Sequence, residues 1–489
     1  MPLGGRDRPA PPPPLVPLLF RLVPSLRRRI KACGEAMRSD VCGQIVELWY
    51  REWQGEFAGR IAYLREVKLQ ELSDVDLTGQ LAEALELVAR GIEVHFLLLG
   101  PIAITLAELA FTCRDLLGLD EARMFHLLAG LSARSTEPSR AITPLANLAT
   151  GQPSLRRSLI ERAPVEVVLA QDDHFAATFS EFMHTHGCRA LRYEVAEQNL
   201  EERPDLVIGL IADQLETGFD ADLTDAARVA VREGAASEAR SRLTSPEDQA
   251  RFDRALARAQ KAYPVREDNE YLTVSAPLAL VRRAALELGH RLADRGQIER
   301  RDDVFQLEPN QAVEALRDGA ERRDLVAHAT GEHAWVLTHA GPASYGKDPG
   351  PPPPFESLPA DVRLANEAFQ WGVKHIFGPD AAHRVGLDGA VTGIPASPGS
   401  YTGPVRVIRS EAEFDRLRAG EVLVCPITSP VWSVLFPSIG ALVTDTGGIL
   451  SHPAIIAREY GIPAVVATGN GTVTLHNGQL VTVDGTLVL

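Results

Sequence analysis

The densest concentration of residues able to do chemistry lies between Gly440 and Thr472, in the run GALVTDTGGILSHPAIIAREYGIPAVVATGNGT. An apolar run suited to a strand ends at Thr446-Gly447-Gly448, where a chain without side chains can turn tightly. Ser451-His452 follows, and Pro453 suits the first turn of a helix because its missing N–H is not needed there. That helix is expected to stop at Gly461. The pattern predicts His452 at a helix N-terminus. Free N–H groups and the positive end of the dipole there would stabilise an added anion. An imidazole titrates near neutrality and is a competent nucleophile, so the expected chemistry is transient capture of a phosphoryl group on His452. Thr446, Gly447 and Gly448 would shape the loop. Ser451 would either donate to the phosphoryl oxygens or orient the ring. Arg458 would either pair with acidic neighbours or face the phosphoryl donor.

Such a histidine needs an α/β scaffold, and the residues around it supply one. After the Gly/Pro-punctuated stretch 386–404 come short β runs (VRVI, EVLVC, GALVTD, PAVVAT, QLVTVDG), with helices expected at 411–418 and 453–460. The first 330 residues are mostly helical in pattern. Strong helical periodicity marks LTGQLAEALELVARGIEVHFLLL, the Ala/Arg/Glu-rich stretch 222–262, and 274–296. A helix is expected to end at Gly187, and Asp120 reads as an N-cap. The fold class is therefore multidomain: a mostly α-helical N-terminal and central region, then a C-terminal α/β domain. The expected boundaries are a disordered Pro/Arg-rich leader over 1–30, a helical domain over 31–340, a Pro-rich linker and connecting helix over 341–389, and the α/β domain over 390–489. The linker, if extended, would let the last domain swing between sites.

Bulk properties exclude several classes. The 489 residues carry a formal charge of -15, which argues against a nucleic-acid partner. Cys33, Cys42, Cys113, Cys188 and Cys425 are scattered, with no CxxC pair, so neither a metal site nor a disulfide framework is expected. VHFLLLGPIA, from Val94 to Ala103, reads as too short and too broken by Gly100-Pro101 to cross a bilayer. The leader lacks the order of a signal peptide. The expected location is cytoplasmic.

The C-terminal hundred residues resemble the phosphohistidine swivelling domain of the phosphoenolpyruvate-utilising enzyme family. The matching residues are Gly447, Gly448, Ser451, His452, Ala457, Arg458, Glu459, Gly461, Ile462, Pro463, Ala464 and Val465. Flanking pieces agree: Ala396-Ser397-Pro398-Gly399, Gly403-Pro404, EVLVCPITSPVW and GQLVTVDG. Pro453 departs from the family's usual alanine. A shorter resemblance links Val265-Arg266-Glu267-Asp268-Asn269 and His186-Gly187-Cys188-Arg189 to the helical substrate-binding domain of rifampin phosphotransferase-like members. It implies that His186, Arg189, Arg266, Glu267 and Asp268 line an acceptor pocket. The alternative is that they form buried ion pairs tying helices together.

No Walker-type loop or ATP-grasp pattern occurs in the sequence. The resemblance therefore implies a split system. ATP and magnesium would be bound mainly by a partner subunit of the ATP-grasp type found at the N-terminus of pyruvate phosphate dikinase. This chain would carry phosphoryl on His452 to a small-molecule acceptor. Three readings stay open: a phosphotransferase subunit; a ligase, condensing or dehydrating enzyme activated by phosphorylation; and a non-catalytic phosphocarrier or regulatory subunit.

Overall fold

The computed structural model describes residues 22–190, 193–339, 341, 358–378, 390–428 and 430–486. Its organising element is a 44-residue helix, Asp74–Leu117. Ser73 caps its start by accepting from the Asp76 N–H, Asp74 and Asp76 sit in its first turn, and Gly118 ends it at φ 61°. Leu77, Leu81, Ala84, Leu87, Gly91, Val94 and Leu98 recur at helical spacing and are buried. The expected break at Gly100-Pro101 does not occur, and the helix runs through Pro101. An internal proline forfeits one backbone hydrogen bond, but Ile102, Ala103, Leu106 and Ala107 beyond it are all buried. Their packing outweighs the loss. By length and composition alone this helix could cross a membrane. Here it is the centre of a bundle, with helices Pro246–Ala262, Ala276–Asp294 and Ala360–Phe377 packed along it.

The helical pattern of the sequence is realised closely. Asp173–His186 ends at Gly187, Ala221–Arg242 and Pro246–Ala262 form the charged pair, and Ala276–Asp294 follows. One part of the leader reading is corrected. Residues 24–30 are not disordered but begin helix Pro24–Arg38, whose start carries Pro24 where its missing N–H is harmless. Residues 1–21, and 342–357 of the expected linker, lie outside the described residues.

Between Val265–Asn269 and Ala276 the helix widens into a π-turn, Glu270–Ser275. The core helix approaches this turn so closely that a Cβ on Gly91 would stand 2.0 Å from the Thr273 carbonyl oxygen. Glycine is needed there for approach, and the contact fixes the segment carrying Arg266, Glu267 and Asp268.

The C-terminal domain holds a six-stranded sheet of β1 (Ile394–Ser397), β2 (Ser400–Val407), β3 (Val422–Cys425), β4 (Ala441–Thr444), β5 (Ala464–Val466) and β6 (Leu480–Asp484), in the order β1-β5-β4-β3-β2-β6. β2, β3, β4 and β5 are parallel in succession, while β1 and β6 pair antiparallel at the edges. The central strands VLVC and ALVT are buried on both faces. Val422, Val424, Ala441 and Val443 pack on one face. Leu423, Cys425 and Leu442 pack on the other, in the same cluster as Ile455 and Ile456 of helix His452–Tyr460. β1 falls in the stretch read only as Gly/Pro punctuation. Its Pro395 is tolerated because the strand is an edge.

Gly91→Ala is expected to cost about 1–3 kcal/mol, because the clash is with backbone that cannot rotate away. The drop in urea midpoint against wild type measures it.

Candidate active site

His452 sits where strand, loop and helix meet. Helix His452–Tyr460 is preceded by Ser451 in extended conformation and closed by Gly461 at φ 64°. Gly447 has φ 107°, which favours glycine, and a Cβ there would crowd Ser451 Oγ at 2.8 Å. A Cβ on Gly448 would meet the His375 carbonyl oxygen at 2.3 Å. The connecting helix Ala360–Phe377 is the reason for that tightness. Its last carbonyls receive the loop amides, Leu450 N–H donating to His375 O at 2.6 Å and Gly448 N–H to Ile376 O at 3.2 Å. The Ser451 hydroxyl donates to Gly448 O at 2.6 Å, so in this state it braces the loop. Exposed Thr446 donates to Pro426 O at 3.0 Å. Arg458 faces the body of the protein. It donates to Ala396 O at 2.8 Å, and its guanidinium lies 4.2 Å from the Phe125 ring centre.

The decisive contact joins the two parts of the chain. His452 Nδ1 lies 2.7 Å from Glu267 Oε2, and both side chains are buried. With its proton on Nδ1 the ring donates to the carboxylate, which leaves the lone pair on Nε2. Nε2 is buried without a hydrogen-bond partner. A ring held by a carboxylate, with its far nitrogen unengaged, is arranged as a nucleophile with an orienting base.

The other residues named from the resemblance surround this pair unequally. Asp268 is 4.0 Å from the Arg134 guanidinium, and burial pushes its carboxyl up to about 6 despite that neighbour. Arg266 Nη1 stands 3.9 Å from Glu270 Oε2. Arg189 lies over the Tyr271 ring at 4.2 Å and 3.7 Å from Glu137 Oε2. Arg134 faces the same ring at 5.3 Å, so Arg189 and Asp268 belong to one cluster. His186 stands beside Phe182, ring centres 5.0 Å apart; burial, then Arg189, push its pKa down to about 4. The approach of Arg189 to Glu137 fits the ion-pair alternative, whereas a neutral His186 against Phe182 forms no such pair.

Sequence reasoning missed the groups that seat the domain. Glu459, within the Ala-Arg-Glu motif, is buried and accepts from the Gly130 N–H at 3.0 Å, with Arg228 Nε at 3.7 Å. Burial raises its carboxyl pKa and the arginines oppose that shift. Glu121 accepts from Trp371 Nε1 at 2.7 Å and lies 2.7 Å from His375 Nε2, which fastens the connecting helix. The motif around Glu459 was visible, but nothing local signals a partner hundreds of residues away.

The raised pKa of Asp268 has a definite sign. In the unfolded chain its carboxyl ionises near 3.8, in the fold near 6. The folded state is thus relatively favoured below about pH 4 and loses that advantage as pH rises through 6. Asp268→Asn is expected to raise stability at pH 7.5 by up to about 3 kcal/mol and to change it little near pH 4. Urea unfolding at the two pH values is the check; equal effects at both would contradict it.

Residues 417–487 match the PEP-utilising enzyme mobile domain, and residues 96–267 match the rifampicin phosphotransferase fourth domain. The chain is 30% identical over 406 residues to an uncharacterized phosphotransferase, YvkC, of Bacillus subtilis (strain 168), covering 80% of this chain and 46% of that protein. It is 32% identical over 426 residues to chondramide synthase cmdD of Chondromyces crocatus, covering 84% of this chain and 11% of that protein. Over 99 residues it is 48% identical to a rifampicin phosphotransferase of Streptomyces sviceus, covering 20% of this chain and 11% of that protein. The chain thus spans less than half the length of these curated relatives. Residues 417–487 are thus similar to the mobile domains of phosphoenolpyruvate-utilising enzymes, and residues 96–267 to the fourth domains of rifampicin phosphotransferases.

Proposed function

We propose that the protein is a cytoplasmic phosphotransferase component in which His452 carries a phosphoryl group from an ATP-binding partner to a small molecule held by the helical domain. The observation that supports it most is the Glu267–His452 hydrogen bond, with Nε2 left unengaged. In the loading half-reaction the Nε2 lone pair attacks phosphorus, an N–P bond forms and a P–O bond of the donor breaks. The family resemblance implies ATP as donor and one water as co-reactant, which cleaves the second phosphoanhydride P–O bond, with AMP and phosphate as products and the β-phosphoryl on the histidine. ATP and magnesium are assigned to an ATP-grasp partner. Among the described residues no group of three or more His, Cys, Asp or Glu side chains converges on a metal position, and no step here is routed through one.

Glu267 then acts twice. In the docked state it keeps the proton on Nδ1, which makes Nε2 the reacting atom, and its charge stabilises the imidazolium character of the ring until the N–P bond breaks. In the unloading half-reaction an acceptor hydroxyl oxygen attacks phosphorus and gives up its proton to solvent, the O–P bond forms and the electrons of the N–P bond return to Nε2. The docked arrangement, with His452 against the helical domain, is the geometry for unloading. Loading requires the domain to leave Glu267.

A second reading makes the phosphorylated compound an intermediate that is later condensed or dehydrated. The long match to a protein named as a synthase favours keeping it. Product analysis separates the two, since a stable phosphorylated compound belongs only to the first.

The test mixes the full chain with an ATP-grasp protein and ATP labelled on the β-phosphate. Acid-labile label is expected on wild type and not on His452→Ala. Glu267→Gln is expected to slow transfer about a hundredfold or more. Label retained by His452→Ala would overturn the reading.

A further inference from the structure

A cavity of about 500 Å³ opens beside the docked carrier helix His452–Tyr460, walled by Arg134, Arg140, Arg228, Asp225 and Asp268 of the helical domain and closed by Glu459 of the mobile domain. Of its walls only Asp268 was read from the sequence, as one residue of an acceptor pocket, and none of the arginines that line it was. Arg228 is the unusual member. It is 6% exposed, yet its Nε and Nη2 have no hydrogen-bond partner. Among the described residues only Nη1 makes a hydrogen bond, donating to Asp225 Oδ1 at 3.1 Å, while the guanidinium lies 5.4 Å from the Tyr460 ring centre. Glu459 is too far for a hydrogen bond, 3.7 Å from Nε, and its carboxylate is already held by the Gly130 amide. Arg140 pairs with Asp225 and Asp222. Buried guanidinium donors without acceptors are costly, and an oxyanion would satisfy both at once.

The carrier helix gives the site a scale. His452 and Glu459 are seven residues apart, so they share one helix face roughly 10 Å apart along the axis. Both are seated on the helical domain, His452 on Glu267 and Glu459 on the Gly130 amide. Asp268, next in sequence to Glu267, lines the cavity. The space near Arg228 is therefore about one small molecule's length from Nε2.

We propose that this cavity is an oxyanion subsite for the acceptor: Arg228, assisted by Arg134, holds a carboxylate or phosphate group of a small molecule whose phosphorylated oxygen lies roughly 10 Å away at His452. This rests on the phosphotransfer reading for the identity of the ligand as acceptor, but the anion binding itself does not. Because Glu459 forms one wall, occupancy favours the docked state.

The experiment is calorimetric titration of the full chain with inorganic phosphate and, separately, with acetate, at constant ionic strength. Saturable binding of at least one anion is expected, and the tighter of the two identifies the group. Arg228→Met is expected to weaken it at least about tenfold, with Arg228→Lys intermediate. Arg134→Gln, which leaves the Arg228–Asp225 pair intact, is expected to weaken it several-fold and serves if the buried variants do not fold. Saturable anion binding by a wild-type chain that takes up no phosphoryl label from ATP and an ATP-grasp protein would count against the phosphotransfer reading alone. No saturable binding of either anion, or equal binding by wild type and the Arg228 and Arg134 variants, would overturn the subsite.

Discussion

One buried hydrogen bond between an imidazole and a carboxylate, His452 to Glu267, ties the chemistry to the architecture. Its partners are 185 residues apart and lie in different structural layers. His452 is 8% exposed, and among the described residues the group hydrogen-bonded to its ring comes from the helical domain. Burial of this kind belongs to docking rather than to the interior of the mobile domain. On the proposed mechanism the domains part and the carboxylate and imidazole exchange each other for water, so a strong local interaction would amount to a modest net preference. A carrier needs that balance: a fixed geometry when docked and a tolerable cost of leaving.

The rest of the fold prepares the two ends of this bond. On one side the core helix, through Gly91, presses against the π-turn that follows Glu267. A π-turn shifts the helical phase, which lets Glu267 face the mobile domain while Tyr271 faces Arg189 and Arg134. On the other side the end of the connecting helix receives the amides of Gly448 and Leu450. Glu121 fastens that helix and Glu459 fastens the carrier helix. The loop amides that an added phosphoryl group could use are thus bound to carbonyls in the docked state, which makes the loop rigid and leaves Nε2 as its unengaged group.

Much of this was legible in the amino-acid order. The glycines, Ser451, Pro453 and Gly461 announce a strand-loop-helix junction because each has a local conformational reason. The buried central strands announce themselves as short apolar runs. Glu267 was visible only through a short resemblance, and its meeting with His452 could not be read at all, since no local rule pairs residues so distant. The same limit hid Glu121 and the seating role of Glu459. The error at Gly100-Pro101 has a different cause: a local breaker was given more weight than the packing of a long apolar face, and packing prevailed. Ser451 was expected to donate to phosphate or to orient the ring, and Arg458 to pair with acidic neighbours or to face the donor; in the docked structure Ser451 donates to its own loop and Arg458 to a neighbouring strand.

The protonation state of one ring tests the account most directly. Nitrogen NMR of the full chain labelled with nitrogen-15 histidine, with the His452 signals assigned by their loss in His452→Ala, reports which ring nitrogen holds the proton. The account requires the Nδ1–H form with a bare Nε2, and a shift toward the mixture of a free imidazole in Glu267→Gln. A His452 ring protonated mainly on Nε2, or a spectrum unchanged by Glu267→Gln, would contradict it.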